Sequence, residues 1–184
     1  MSRTRLVFSG SGGQGVVTAA ILLAEAAVLR ENLFAVQTQS YGAAARGGAT
    51  RADVIISADN INYPKVNQPN ILVCLTQEAY SKYAPIIRPG GLLLTDLRYV
   101  KIERKVEARQ RELPMYDSVM EKIGKPVVFN ICMLGALIGL TQLVRVESIL
   151  SVLETRLPAE VVAINRQALE LGLTLSQTAR PRVA

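Results

Sequence analysis

The sequence predicts an α/β protein, a three-layer sandwich built on a largely parallel or mixed sheet. Short apolar runs typical of buried strands alternate along the chain with longer stretches typical of helices. The 184 residues are 49% hydrophobic and 20% charged, which is enough to bury one core. There is no internal repeat and no long linker, so we expect one domain over residues 1–175. The polar, basic residues 176–184 are expected to form a disordered tail.

The first half of the chain predicts three strands and one helix. An apolar strand over residues 6–9 leads into a glycine-rich loop over residues 10–15. Residues 16–29 follow as a helix that is apolar on nearly all sides, so it is expected to be buried. The other two strands are predicted over residues 34–38 and 50–57, the latter after the turn-like Arg46-Gly47-Gly48.

The second half predicts two more strands, and then mainly helices. Pro158 is placed as a helix-start proline, and Gly172 as the residue that ends the last helix. Asp117 or Ser118 could cap the helix that begins beside them. The stretch before Pro114 is poorly patterned, and no element is predicted there. The predicted elements are strands over 71–75 and 92–95, a helix over 77–83, the turn 88–91 between them, and helices over 117–123, 131–140, 146–153 and 159–171.

The charge of the chain favours an anionic partner. Its net charge is +6 and its pI is about 9.6. Residues 98–112 contain six basic and three acidic side chains. This segment is either a solvated stretch of mixed charge or a docking surface for a partner subunit or nucleic acid. The chain has few aromatic residues and no tryptophan, and no regular pairing of aromatic with basic residues, so we expect no nucleic-acid partner.

The residue types that are missing exclude several kinds of site. Without histidine there can be no Ser-His or Cys-His nucleophile and no His-ligated metal. Cys74 and Cys132 are isolated in apolar runs, so they cannot hold an iron–sulfur cluster and are expected to be core thiols in a reducing compartment. The apolar run 6–8 is too short for a signal peptide, and no run of about 20 apolar residues could span a membrane. We expect a cytoplasmic protein with no membrane partner.

The glycine loop between the first strand and the first helix is the main candidate binding site. A strand, a Gly-x-Gly-x-x-Gly loop and a helix in this order resemble the phosphate-binding loop of Rossmann-like folds. Glycines let a phosphate approach the backbone, and the helix N-terminus favours an anion. A tight turn without a ligand is the alternative. The candidate contacts are Gly10, Ser11, Gly12, Gly13, Gln14 and Gly15.

Two common nucleotide ligands lack the second feature that each requires. An NAD or FAD site needs an acidic residue after the second strand, but residues 36–40 contain no carboxylate, and the next acid is Asp53. A nucleoside triphosphate site of the P-loop type needs Lys and a hydroxyl after the last glycine, where this chain has Val16 and Val17. The loop therefore favours a different phosphate-bearing ligand.

A second loop follows the second predicted strand and is expected at the same edge of the sheet. It combines a Gly-Gly pair with hydroxyl groups and with the guanidinium groups of Arg46 and Arg51, which suit phosphate or carboxylate. Arg46 could equally be a surface charge beside a turn. Together the two loops predict one shared anion site, to which the second loop contributes Ser40, Tyr41, Arg46, Gly47, Gly48 and Thr50.

These motifs together resemble the gamma subunit of 2-oxoacid:ferredoxin oxidoreductases. The resemblance covers residues from about 4 to 173 and is closest to the 2-oxoglutarate type. The pyruvate, 2-oxoisovalerate and indolepyruvate types remain alternatives. The motifs that carry it are Phe8-Ser9-Gly10-Ser11-Gly12-Gly13-Gln14-Gly15, Gln37-Thr38-Gln39-Ser40-Tyr41-Gly42, Ala45-Arg46-Gly47-Gly48-Ala49-Thr50-Arg51-Ala52-Asp53-Val54, Asn62-Tyr63-Pro64, Leu75-Thr76-Gln77-Glu78-Ala79-Tyr80, Arg88-Pro89-Gly90-Gly91 and Asn130-Ile131-Cys132-Met133-Leu134-Gly135-Ala136.

The resemblance implies a non-catalytic subunit of a larger enzyme. That family decarboxylates a 2-oxoacid oxidatively, passes the electrons to ferredoxin and forms an acyl-coenzyme A. Thiamine diphosphate, Mg and the iron–sulfur clusters would lie on alpha, beta or delta subunits, and ferredoxin would contact those partners. This chain would help to bind coenzyme A through its two loops. The related single-chain enzymes have lysines in the second loop where this chain has Ala44 and Ala45, so a phosphate contact by Arg46 is inferred rather than matched.

Two other functions remain to be weighed against this one. A purely structural subunit would use the same loops to contact protein. A free-standing dinucleotide-dependent oxidoreductase would need a ribose-binding carboxylate and a proton-transfer residue, and the sequence shows neither.

Overall fold

The computed structural model describes residues 3–40, 49–103 and 106–178, and it shows a six-stranded sheet covered by helices. The strands lie in the order β2-β3-β1-β4-β5-β6. Tyr41, Arg46, Gly47 and Gly48 of the predicted site lie outside the described residues. The strands are β1 (Thr4–Gly10), β2 (Phe34–Ser40), β3 (Thr50–Ser57), β4 (Ile71–Cys74), β5 (Gly91–Asp96) and β6 (Ala108–Leu113). The helices are α1 (Val16–Glu31), α2 (Gln77–Tyr83), α3 (Met115–Lys122), α4 (Phe129–Thr141), α5 (Val146–Arg156) and α6 (Ala159–Thr178).

The sheet is mixed because one interior strand runs against the others. β1, β4, β5 and β6 pair in parallel, whereas β3 lies antiparallel between β1 and β2. The two neighbours of β3 therefore run in the same direction, and both end at the edge of the sheet where β4 and β5 also end. The predicted α/β class with a mixed sheet is confirmed.

The two faces of the sheet bury different layers. Leu6 and Phe8 of β1 face a large cluster formed with α1 and α3 to α6, while Val7 faces a smaller cluster formed with α2. This alternation follows from the two-residue period of a strand. α4 is buried over most of its length and is apolar except for Asn130 and Thr141, because it packs against α6, α1 and α3 within the larger cluster. The result is three layers with most of the helical mass on one side.

α4 and α6 cross at very short range, and three glycines make the crossing possible. A Cβ atom on Gly172 would lie 2.6 Å from the backbone N of Ala136, and one on Gly139 would lie 2.8 Å from the Cβ of Ser176. A Cβ on Gly135 would likewise meet the backbone of Leu169. The prediction that Gly172 ends the last helix is wrong, because α6 continues to Thr178. Gly172 is required there for contact with α4. The helix also extends past residue 175, into the predicted tail.

The stretch before Pro114 contains an edge strand that its residue pattern did not reveal. β6 pairs with β5 from Ala108 to Leu113, and all of it except Leu113 lies in the positively charged segment 98–112. Its residues are mixed and polar because only one side of an edge strand is paired. The following helix begins at Met115, and Asp96 accepts the N–H of Tyr116 in its first turn. The prediction that Asp117 or Ser118 caps this helix is therefore wrong.

Candidate functional site

The glycine loop joins the carboxyl end of β1 to the first turn of α1. β1 ends at Gly10 and α1 begins at Val16. Gly13 has a φ of 88° and Gly15 a φ of 70°, a backbone conformation that residues with a side chain rarely adopt. Gly15 is the N-cap of α1 and offers no side chain to the first N–H groups of the helix. Those donors are available to an anion.

Gln14 holds the loop in shape from within. Its Oε1 accepts the N–H of Ser11 at 2.8 Å, and its Nε2 donates to the carbonyl of Leu75 at 3.1 Å. A Cβ on Gly10 would lie 2.5 Å from the same Oε1, so this glycine makes room for the Gln14 side chain. The structure thus gives Gln14 and Gly10 a role in the shape of the loop. The surface of the neighbouring cavity is formed instead by Ser11, Gly12, Gly13 and Gly15.

Asn130 at the start of α4 packs directly on Gly15. Its Nδ2 lies 3.4 Å from the carbonyl oxygen of Gly15 and donates to it. A Cβ on Gly15 would lie 2.6 Å from that Nδ2, so only glycine allows α4 to approach this closely. Asn130 belongs to one of the motifs that carry the family resemblance, but it is not among the predicted site residues. Its contact spans 115 positions along the chain, and nothing local in the sequence indicates it.

A cavity of about 840 Å³ opens beside the glycine loop, within the size range of small-molecule sites. It lies between α1, the start of α4, the end of α5 and the first half of α6. Its surface is mainly aliphatic. Its lining residues include Ser11, Gly12, Gly13, Gly15, Val17, Ile21, Thr50, Lys125, Asn130, Arg156, Leu157, Val161, Ile164 and Asn165.

Among the described residues that line the cavity, the charged group without an ion pair is positive. No carboxylate is found among its described lining residues. Arg156 is already neutralised, because its Nε and Nη2 both bind the carboxylate of Glu25 on α1. Lys125 is exposed and forms no ion pair with any described residue. A negatively charged ligand would therefore meet a free cation and no acidic side chain.

The two helices that begin at this cavity differ from the other four at their N-termini. α1 and α4 have no acidic residue in the first turn and no side-chain cap. α2, α3, α5 and α6 each have an aspartate or glutamate there, which offsets the positive end of the helix dipole. In α1 and α4 that compensation is missing, which favours an external anion.

The structure brings the ends of the second loop to the glycine loop. Thr50 pairs with Gly10 in the β1–β3 ladder and also lines the cavity. Ser40 lies one strand further out, where it pairs with Arg51 and is exposed. The expected edge shared by the two loops is thus present at Thr50 and Ser40.

Arg51 does not serve as a free anion-binding group. Its Nε and Nη2 bind the two carboxylate oxygens of Asp53 at 2.6 and 2.9 Å, and Nη2 also donates to the carbonyl of Val66 at 2.6 Å. The guanidinium also lies over the ring of Tyr83, 5.3 Å from its centroid. The hypothesis that Arg51 contributes to an anion site is wrong for this arrangement, since Arg51 instead ties residues 58–70 to β3.

The two cysteines are buried, and burial disfavours the thiolate form in which a cysteine reacts. Burial raises the pKa of the Cys74 thiol to about 12, although a hydrogen bond from Ser9 opposes the rise. Burial also raises the pKa of Cys132 to about 12, with a smaller contribution from the charge of Asp96. The prediction of packed core thiols is confirmed. No group of three potential metal ligands occurs in the described residues, and none of the described helices is long and apolar enough to cross a membrane.

The chain is an α/β protein with a glycine loop beside a large cavity, at the carboxyl ends of parallel strands. This is where α/β proteins commonly bind phosphate-bearing ligands. Comparison with known families is more specific. The family model for pyruvate ferredoxin/flavodoxin oxidoreductase matches residues 5–175. The chain therefore belongs to this family.

The names of two relatives agree with the family that the sequence motifs resemble. The 2-oxoglutarate synthase subunit KorC of Methanocaldococcus jannaschii is 46% identical over 148 residues, which are 79% of this chain and 79% of the relative. The gamma subunit of the keto/oxoacid ferredoxin oxidoreductase of Geobacter sulfurreducens is 35% identical, with a TM-score of 0.89 over 97% of this chain and 99% of that one. The prediction of a gamma subunit of a 2-oxoacid:ferredoxin oxidoreductase is confirmed.

A third similarity concerns a larger protein and shows the fold alone. The 2-oxoglutarate:ferredoxin oxidoreductase of Magnetococcus marinus, solved with 2-oxoglutarate, coenzyme A and succinyl-coenzyme A bound, is 21% identical with a TM-score of 0.87. The match covers 97% of this chain and 32% of that one. In that protein the fold of the present chain is one part of a longer polypeptide.

Proposed function

We propose that this chain helps to bind coenzyme A in a 2-oxoglutarate:ferredoxin oxidoreductase. The observation that carries the proposal is the glycine loop, which faces a cavity that has no acidic side chain among its described lining residues. Loop N–H groups and the N-terminus of α1 would hold a phosphate of the coenzyme, with Lys125 nearby as a counter-charge. Coenzyme A in the Magnetococcus structure supports the same ligand here.

The substrate and the partners follow from the relatives and from what the chain lacks. The named activity of the Methanocaldococcus relative supports 2-oxoglutarate as the oxoacid. We place thiamine diphosphate, Mg and the iron–sulfur clusters on alpha, beta or delta subunits, which would also contact ferredoxin. The chain has no histidine, and its two cysteines are buried core thiols. Those free thiols also favour the cytoplasm.

A substitution at Gly12 tests the ligand directly. A Cβ on Gly12 would meet no other atom within 4 Å, and its φ does not require glycine. Gly12→Leu therefore leaves the fold intact but fills the space that a phosphate needs. In the assembled complex we expect the KM for coenzyme A to rise at least tenfold, which corresponds to about 1.4 kcal/mol of binding free energy. Gly12→Ala is the matched control and should change KM little.

Subunit association, measured by size-exclusion chromatography, separates binding from scaffolding. An unchanged KM for coenzyme A in the Gly12→Leu complex would exclude the glycine loop as the coenzyme site. Loss of association without a change in the KM of the remaining complex would favour a structural subunit.

A further inference from the structure

β2 is the outermost strand at one end of the sheet, and its outer edge is open. Among the described strands it pairs with β3 alone. That pairing runs from Phe34 opposite Ser57 to Ser40 opposite Arg51 without a bulge. A regular edge strand presents a row of backbone N–H and C=O groups, to which another strand can bind.

The two edge strands of the sheet differ in how they are protected from further pairing. β6, at the other end, carries Arg109, Arg111 and Glu112, and charged side chains on an edge strand oppose the addition of another strand. β2 contains no charged residue and no proline, and its pairing with β3 has no bulge. A long, regular and uncharged edge of this kind is a site of pairing between chains.

Exposed apolar side chains lie at the start of this edge. Phe34, the first residue of β2, is 47% exposed, and Val28 and Leu29 in the last turn of α1 are 46% and 60% exposed. A stable interface buries roughly 1,200 Å² or more in total, which needs surface beyond the paired strands themselves. These apolar side chains supply such surface.

Gln37, the middle residue of β2, has a polar atom that needs a partner. Its Nε2 is buried and donates no hydrogen bond to any described residue. The residue as a whole is half-buried, so its terminal amide has room to turn. When a second β2 pairs antiparallel about a two-fold axis at Gln37, the Cβ atoms of the two glutamines lie about 5 Å apart. Each Nε2 can then donate to the carboxamide oxygen of the other.

We propose that the chain forms a two-fold symmetric dimer, in which β2 pairs antiparallel with β2 of a second copy and Gln37 lies at the centre. In this register Val36 lies opposite Thr38 of the other copy, and Phe34 lies opposite Ser40. A second copy suits this edge better than a different subunit, because complementary charges usually specify a different partner and β2 has none to offer. Pairing β2 with itself brings no like charges together.

Charge substitutions at Gln37 test both the contact and the register. Analytical ultracentrifugation of the full chain should show a dimer of 20.0 kDa subunits. Gln37→Lys and Gln37→Glu each remove the amide pair and place like charges opposite each other, so each should raise the dimer dissociation constant about tenfold. An equimolar mixture of the two variants should restore the dimer, because opposite charges then face each other. Gln110→Lys, the same change on β6, is the control and should leave the constant within about twofold.

Each of the other results overturns the proposal. A wild-type chain that stays monomeric at every concentration has no such dimer, and a dimer that survives Gln37→Lys lies on another surface. A mixture that stays monomeric excludes the register. Loss of assembly with other subunits in Gln37→Lys, when the isolated wild-type chain is monomeric, would mean that a strand of a different protein binds β2.

A second set of variants decides the question if circular dichroism shows that the Gln37 variants do not fold. Val36→Lys combined with Thr38→Glu places opposite charges across the two-fold axis and should keep the dimer. Val36→Lys combined with Thr38→Lys places like charges there and should abolish it. Equal dissociation constants for the two double variants would overturn the proposal. None of these measurements depends on the coenzyme, so failure of the proposed function is recognised separately.

Discussion

Glu31 is a single residue that connects two helices. It is the last residue of α1, and its carboxylate accepts hydrogen bonds from the backbone N–H of Arg145 at 2.9 Å and from the Ser148 hydroxyl. It therefore caps the N-terminus of α5 from a different helix. Burial by itself raises the pKa of Glu31, but the hydrogen bonds from Ser148 and from the backbone and side chain of Arg145 outweigh it and leave the pKa below its usual value.

A lowered pKa in the folded state makes the contribution of Glu31 dependent on pH. The carboxylate stabilises the fold above its unfolded pKa, and the contribution is lost as pH falls through the lower folded value. Glu31→Gln should therefore lower the free energy of unfolding by about 1 kcal/mol at pH 7. Denaturant unfolding should show the difference shrinking at acid pH. Glu121→Gln, at an exposed position of α3, is the control, and a pH-independent difference would contradict the prediction.

Residue roles were predictable where they depend on neighbours in the chain. The position of the glycine loop and the need for glycine at Gly15 follow from the order of strand, loop and helix, whereas the positive φ of Gly13 falls at a variable position of the Gly-x-Gly-x-x-Gly motif. The pairing of Arg51 with Asp53 could also have been predicted, because residues two apart on a strand face the same side. The hydrogen bond from Gln14 to Leu75 could not be predicted, because Leu75, which directly follows β4, is distant from Gln14 in sequence.

At the scale of elements, the crossing of α4 and α6 depends on the absence of side chains. Gly172→Ala should lower the free energy of unfolding by about 2–3 kcal/mol, because the added methyl meets the backbone of α4, which cannot rotate away. Thermal or denaturant unfolding of the isolated chain measures this. Gly12→Ala, the same change in open space, should be nearly neutral. Equal stabilities for the two variants would show that the helices can separate at little cost.

Element boundaries were predictable where patterning was strong and failed where the environment decides. The buried strands β1, β4 and β5 were found as short apolar runs. The end of α6 was misplaced because glycine is common after helices, and helix packing, which local sequence does not reveal, overrides that preference. β6 was missed because the residues of an edge strand need not alternate.

At the scale of the whole molecule, ligand binding should appear as added stability. A ligand that binds only the folded chain at 100 times its Kd adds about 2.7 kcal/mol. Coenzyme A should therefore raise the melting temperature of the complex in a concentration-dependent way, and NAD should not. Dephospho-coenzyme A, titrated alongside by calorimetry, measures the contribution of the 3′-phosphate. Tighter binding of NAD than of coenzyme A would contradict the proposed ligand.

The fold class could be predicted from the sequence, but the order and direction of the strands could not. Alternating strands and helices gave the three layers. The reversal of β3 was not indicated, because its apolar residues read the same in either direction. The cavity was also beyond prediction, since its walls come from α1, α4, α5 and α6.

The reversal of β3 makes the connection between Ser40 and Ala49 a hairpin between two adjacent strands. A hairpin connection can be lengthened, shortened or replaced without changing the path of any other strand, unlike a crossover that must span the sheet. The connection is therefore exchangeable, and the strand that follows it begins at Thr50, which pairs with Gly10 of the glycine loop. If the proposed coenzyme site is correct, transplanting this connection between family members should change coenzyme affinity while the sheet and both helical layers stay as they are.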